Sequence, residues 1–282
     1  MSAEDRHVQV ITRVFDEAAS EFDASGIDFF TPFGERLADL ADGRDGDRVL
    51  DVGCGMGSSL LPAAARVGPG GFVTGIDLSP AMVRRLSELL ARRGVTNARV
   101  LQMDGTRPEF PECSFEVVQA GFSVMHFSSA PDCLARYPRL LRPGGRFCYS
   151  ELVDDDGLPD LVPRDAFAEL EPFFPRDLPN PRERGAATWN RTPQSTVAVL
   201  RERGFARVTV IDETSEVDIV SGSRWNAWTM STGLRQAWAN IPVGELGEVR
   251  ARTARVIERR RDARGRLALP VRVRYVLCET GE

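Results

Sequence analysis

Three glycines on alternate positions, Gly53, Gly55 and Gly57, follow the apolar run Val49-Leu50-Asp51-Val52 and lead into a stretch of helical pattern. Such a loop can turn tightly and bring backbone N–H groups against a ligand, because glycine permits both the turn and the close approach. The spacing is GxGxG, with Ser58 where a dinucleotide fingerprint would carry its third glycine. A glycine-rich turn can also do no more than join a strand to a helix. A second apolar run, Phe72-Val73-Thr74-Gly75-Ile76, ends in Asp77, 24 residues after Gly53. In doubly wound folds a carboxylate there lies beside the first loop and accepts both hydroxyls of a ribose. The alternative role, capping the next helix, is already met by Ser79 ahead of Pro80. Loop and acid together specify a nucleoside, not a reaction.

These residues need a framework, and the sequence supplies one. Arg48–Val52, Phe72–Ile76, Arg99–Gln102, Phe115–Ala120 and Arg146–Ser150 read as strands, separated by helices over 58–67, Pro80–Arg93 and 131–141. Gly94 ends the second of these helices. Strands alternating with helices at this spacing imply right-handed crossovers and a parallel sheet, an α/β, Rossmann-like, doubly wound fold. Two helices are expected over the first forty residues, interrupted by 26–32. Past Glu151 the texture becomes proline-rich and acidic, with no apolar period, and reads as a lid. A helix over 194–203, a strand over 208–211, an aromatic helix over 225–238, a charged helix over 245–264 and a final strand over 267–278 complete the chain. The expected division is a helical N-terminal cap, 1–41; a cofactor-binding core, 42–152; a lid insertion, 153–192; and a C-terminal part of the core with substrate-binding helices, 193–282.

Further motifs narrow the nucleoside. Met103-Asp104-Gly105 follows the third strand, and Leu141-Arg142-Pro143-Gly144-Gly145 joins a helix end to the fifth. There Pro143 stops the helix, and the glycines suit its left-handed terminus. With Asp51-Val52-Gly53-Cys54-Gly55-Met56-Gly57, Gly75-Ile76-Asp77-Leu78-Ser79-Pro80-Ala81-Met82 and Asp104-Gly105, this chain resembles the class I S-adenosylmethionine-dependent methyltransferases, in particular their small-molecule, natural-product branch. The likeness covers about residues 26 to 150 well and the rest loosely. It implies a seven-stranded sheet whose last strand is antiparallel and inserted beside the fifth, with 271–277 the candidate. It implies S-adenosylmethionine as cofactor: Asp51, Gly53, Cys54, Gly55 and Gly57 around its methionine part, Asp77 on the ribose diol, Leu78 and Met82 flanking adenine, and Asp104 with Gly105 at the adenine amino group. Ala120 and Gly121 would line the transferred methyl. The segment 22–32 looks like the N-terminal cap of small-molecule members, with Phe29, Phe30 and Thr31 closing over the cofactor.

Methyl transfer from a sulfonium is an in-line displacement, so orientation is the main requirement. A base is needed only for a nucleophile that holds its proton tightly. His126, six residues past the fourth strand, is the catalytic candidate, its alternative being a packing histidine. Acceptor contacts are expected from Phe22, Phe122, Trp189, Trp225 and Trp228, aromatic walls that suit a flat ligand, although the tryptophans can equally be core.

The net charge is −5, and the arginine-rich stretch 250–264 is broken by Glu258 and Asp262, which argues against nucleic acid as a partner. The five cysteines form no CxxC pair and the two histidines stand far apart, so no metal site is expected. No signal peptide or membrane span is read, and a soluble, cytoplasmic protein is expected. The expected partner is a small-molecule substrate, with a homodimer left open. The expected reaction is methylation of an aromatic or terpenoid specialised metabolite, with carbon or nitrogen slightly favoured over oxygen. The alternative is a protein of this fold that keeps the cofactor and catalyses a non-methyl reaction such as cyclisation.

Overall fold

A computed structural model describes residues 3–22, 25–153, 160–175 and 188–281. Residues 154–159 and 176–187, parts of the expected lid, lie outside the described residues.

The chain begins with α1 (Ala3–Ala18) and α2 (Phe30–Ala41) and then alternates: β1 (Arg48–Val52), α3 (Leu60–Val67), β2 (Phe72–Asp77), α4 (Pro80–Arg93), β3 (Ala98–Gln102) and β4 (Phe115–Gly121). A short 3-10 turn, Val124–His126, leads to α5 (Ala130–Leu134), α6 (Tyr137–Leu140) and β5 (Leu141–Leu152). Next come α7 (Arg164–Ala168), α8 (Pro193–Glu202), β6 (Arg207–Asp218), α9 (Gly222–Met230), α10 (Arg235–Ala239), α11 (Val243–Glu258) and β7 (Ala268–Glu279).

The sheet order is β3-β2-β1-β4-β5-β7-β6. β7 runs antiparallel to both β5 and β6, and the other neighbours are parallel. The α/β, Rossmann-like fold is therefore as the sequence implies, with the last strand inserted beside the fifth. Strand order reverses between β1 and β4, and the carboxyl ends at such a switch point are where sheets of this kind bind ligands. Both faces are covered. Leu37, Leu60, Val67, Leu86 and Leu90 form a core on one side. Leu134, Tyr137, Leu140, Leu200 and Phe205 form one on the other.

Four elements differ from the sequence reading for identifiable reasons. The helix expected over 131–141 is two pieces, because Pro138 has no N–H to continue the ladder. The aromatic helix over 225–238 is likewise broken: Ser231 Oγ and Thr232 Oγ1 donate to the carbonyls of Trp228 and Thr229, closing α9 before Gly233. The charged helix ends at Glu258 instead of Arg264, and Asp262 then gathers the N–H groups of Arg264 and Arg266 into a turn. β6 is twelve residues long because it pairs with β7 along its whole length, although its outer half is too polar to show as a strand. Between β4 and β5 the register jumps from Phe115↔Leu141 to Val117↔Arg146, so the Arg142–Gly145 turn loops out of an otherwise continuous strand.

Among the described residues no helix is long and apolar enough to cross a membrane.

Candidate functional site

The end of β1 and the end of β2 are joined through backbone. Gly53 and Cys54 donate their N–H groups to the Ile76 carbonyl, at 2.8 and 3.0 Å. Gly55 donates to Asp77 Oδ2 at 2.9 Å, and the other oxygen of Asp77 accepts from Ser79 N–H at 2.9 Å. Burial pushes the Asp77 carboxyl up, against these hydrogen bonds. Gly55 has φ +47°, and a Cβ there would meet only Phe22, at 4.0 Å, so the glycine serves the turn and leaves its outer face bare. At Gly53, φ +67°, a Cβ would stand 2.4 Å from that of Ser123, so side chains are excluded on both counts.

Beneath the loop Asp51 is fully buried. Its Oδ2 accepts from Ser59 Oγ at 2.8 Å and Gln119 Nε2 at 2.9 Å, while Oδ1 has no hydrogen-bond partner among the described residues. Burial pushes this carboxyl up to about 6, the two donors opposing the rise and Asp77 adding to it. One fully buried carboxylate, Asp51, and one half-buried, Asp77, around one glycine loop form an anionic floor. Such a floor suits a ligand bearing ammonium and sulfonium charges and opposes a pyrophosphate.

Cys54 is different in kind. Its thiol is buried against Gly75, where burial and the two aspartates push it up, so only its backbone faces the loop. Gly105 is packed too: a Cβ would stand 2.6 Å from Val52, and the Gly105 carbonyl accepts from Tyr137 at 2.7 Å. Asp104 Oδ1 accepts from both Thr106 N–H and Thr106 Oγ1 at 2.8 Å. Its side chain lines a cavity of about 370 Å³ shared with Glu4, Asp5, Val8, Gln9 and Arg107. Ala120 packs into the second core, whereas Gly121 faces Ser59 and Leu37.

The cavity's outer wall is α1, a role the sequence reading did not assign at residue level. Asp16 Oδ1 accepts from Ser79 Oγ at 2.9 Å and Ala81 N–H at 2.8 Å, joining α1 to the start of α4. Phe15, Ala19 and Phe22 pack with Met56, Ala81 and Met82. Glu4 pairs with Arg107 at 2.7 Å, and Glu21 with Arg235 at 3.0 Å. His7 Nε2 lies 2.8 Å from the His126 carbonyl, and the His126 ring meets Phe15 edge-on at 5.0 Å. His126 is thus in contact with the cap helix. No local pattern marks Asp16 or Glu4, whose partners lie at least 63 residues away.

An aromatic cluster stands beside the loop. Phe22 stacks on Phe30 at 4.7 Å, Phe30 meets Phe29 at 4.9 Å, and Phe29 touches Phe33, Phe122 and Trp228 at 5.3–5.5 Å. Phe122, directly after β4, has φ +52°, a conformation that costs a bulky residue about 1–3 kcal/mol and concentrates at functional positions. The other predicted residues fall outside this cluster. Thr31 is exposed on α2. Trp189 packs half-buried against the second core. Trp225 is fully buried, with its indole N–H donated to the Leu161 carbonyl at 2.9 Å, the geometry of a core residue.

Comparison with known proteins agrees with this anatomy. Residues 49–145 match a family described as a methyltransferase domain. Nocamycin O-methyltransferase from Saccharothrix syringae is 39% identical over 248 residues, 86% of this chain and 89% of the relative. The chain belongs to the class I S-adenosylmethionine-dependent methyltransferases. A second relative of this methyltransferase, aklanonic acid methyltransferase DauC from a Streptomyces species, is 36% identical over 207 residues, 70% of this chain and 92% of the relative. The solved structure of the YcgJ protein from Bacillus subtilis shares the fold, with a TM-score of 0.59 at 18% identity over 89% of this chain and 99% of that one. S-adenosylmethionine is accordingly the cofactor, and the anionic floor with its bare Gly55 fits it.

Proposed function

We propose that this methyltransferase methylates an oxygen of a flat, multi-ring specialised metabolite. The observation that carries the reading is the aromatic cluster around Phe29 and Phe122, set at the carboxyl end of β4 beside the glycine loop. Ring faces take up a planar acceptor and exclude water from the reacting atoms. The nocamycin relative is named an O-methyltransferase, and this favours oxygen over the carbon or nitrogen that the sequence alone leaned towards. Cyclisation, the alternative reading, draws no support from these two relatives, both named as methyltransferases.

In this reading Asp77 holds the ribose diol, Asp51 attracts the ammonium, and Gly53, Gly55 and Gly57 keep the loop open. Leu78 and Met82 flank the adenine, with Asp104 and Gly105 at its edge. When bound, S-adenosylmethionine supplies an electrophilic methyl on a sulfonium. Phe30 and Phe22 cover that side of the site, while Phe29, Phe122 and Trp228 face the acceptor. His126 is the candidate for removing the hydroxyl proton. Residues 1–41 act as a cap, 42–152 as the cofactor-binding core, 153–192 as a lid, and the remainder completes the sheet and the acceptor wall.

The test is incubation with methyl-labelled donor and a set of hydroxylated naphthalenes, anthraquinones and terpenoids. Label on the oxygen of a fused-ring acceptor is the expected result. Label on carbon or nitrogen, or on no member of the set despite donor binding, counts against the reading.

A further inference from the structure

Three indoles lie on α9 and α10, and two of them have settled partners. Trp225 donates to the Leu161 carbonyl at 2.9 Å, and Trp238 donates to Thr229 Oγ1 at 3.0 Å. Trp228 is just as enclosed, at 5% exposure, yet its Nε1–H has no hydrogen-bond partner among the described residues. A buried donor left unsatisfied is costly and uncommon in a folded protein, and such a group calls for an explanation. The edge-on contact with Phe29, 5.4 Å between ring centroids, offers at most a weak substitute for an oxygen acceptor.

The position of this indole supplies the explanation. α9 runs alongside the segment that carries the cap phenylalanines: Arg224 Nη1 donates to the Ser25 carbonyl at 2.8 Å, and Trp228, four residues on, meets Phe29. Phe29 in turn meets Phe122 at 5.5 Å. Trp228 therefore stands two ring contacts from Phe122, the residue that follows β4. A fused-ring acceptor with its reacting atom near Phe122 would extend its far ring towards Trp228.

We propose that the Trp228 indole N–H donates a hydrogen bond to a second oxygen of the acceptor, a carbonyl or phenolic oxygen distant from the methylated one. Trp228 thereby selects oxygenated fused rings over bare ones. The proposal deepens the acceptor reading above and rests on it. A site built to bond a polar group discriminates strongly against analogues that lack it, because its own buried group is then left unpaired.

The probe is 1,8-dihydroxyanthraquinone, which has fused rings and several oxygens. In ¹H–¹⁵N spectra of the donor-saturated protein, the Trp228 indole resonance, assigned by its loss in Trp228→Phe, should shift on titration. Those of Trp225 and Trp238 should stay in place. Trp228→Phe keeps the ring packing and removes the unsatisfied donor, so its melting temperature should equal or exceed the wild type's. Its probe affinity should fall about tenfold with donor affinity unchanged. A merely structural indole would give the opposite pattern, a lower melting temperature with probe binding intact. Probe binding that leaves the Trp228 resonance unmoved, unchanged affinity in Trp228→Phe, or a wild type that binds donor but not probe would each overturn the proposal. Failure to bind the donor would count instead against the cofactor site itself.

Discussion

The backbone N–H of Gly55 donates to Asp77 Oδ2 across 2.9 Å, so the glycine loop and the acid at the end of β2 are one unit. The carboxylate that orders the loop is also the group assigned to the ribose. In Asp77→Asn one oxygen remains for the backbone while the charge is lost. Donor affinity should fall about 100-fold, in keeping with hydrogen bonds to a charged group, and the melting temperature by only a few degrees. Titration calorimetry with thermal melts separates the two.

Asp51 gives the protein a pH signature. Its carboxyl is raised from an ordinary 3.8 to about 6 chiefly by burial, so the fold favours the protonated form. The associated stability is fully present below the unfolded value and is lost as pH rises through about 6, a total of about 3 kcal/mol at ~1.4 per pKa unit. Denaturant melts from pH 4 to 7 should show this decline, and Asp51→Asn should flatten much of it. Asp77, shifted in the same direction, leaves a residual slope. A cationic donor favours the carboxylate, so donor affinity should strengthen over the same interval, and less so in the variant.

Phe122 should invert the usual order of truncations. At φ +52° glycine is at ease and alanine is not, so Phe122→Gly should be more stable than Phe122→Ala by about 1 kcal/mol. Both should raise the acceptor KM well above any change in donor affinity. Chemical denaturation paired with steady-state kinetics provides the check.

Asp16 fastens α1 to the start of α4 through Ser79 and Ala81, beside the proposed donor site. Asp16→Ala should cost about 1 kcal/mol, as loss of a helix-cap contact does, and should speed donor release. Stopped-flow displacement of the donor measures it. Arg107→Ala, which removes an ion pair exposed to solvent, should leave the melting temperature nearly unchanged.

What the sequence made legible was local. The bounds of α4 follow from Ser79, Pro80 and Gly94, which act within a few residues of the helix they delimit: Ser79 Oγ accepts from Met82 N–H, and Gly94 adopts φ +65°. β1 and β2 were readable because buried parallel strands are continuous apolar runs. The glycine loop and Asp77 carry their chemistry in their types and spacing. What stayed hidden depends on distant partners. The outer half of β6 is a strand because β7 lies beside it, and Asp16 matters because Ser79 is 63 residues away. Trp225 and Trp228 look alike as letters. Only the packing shows that one indole is spent on Leu161 and the other on no partner among the described residues.

The most direct measurement uses a trideuteromethyl donor with 1,8-dihydroxyanthraquinone and related hydroxylated fused rings, the labelled position being located by mass spectrometry and NMR. Transfer of the labelled methyl to an acceptor oxygen, reduced in parallel by Asp77→Asn and Phe122→Ala, is the predicted result. Tight donor binding with no labelled product from any fused-ring acceptor, or label fixed to carbon, would contradict the account.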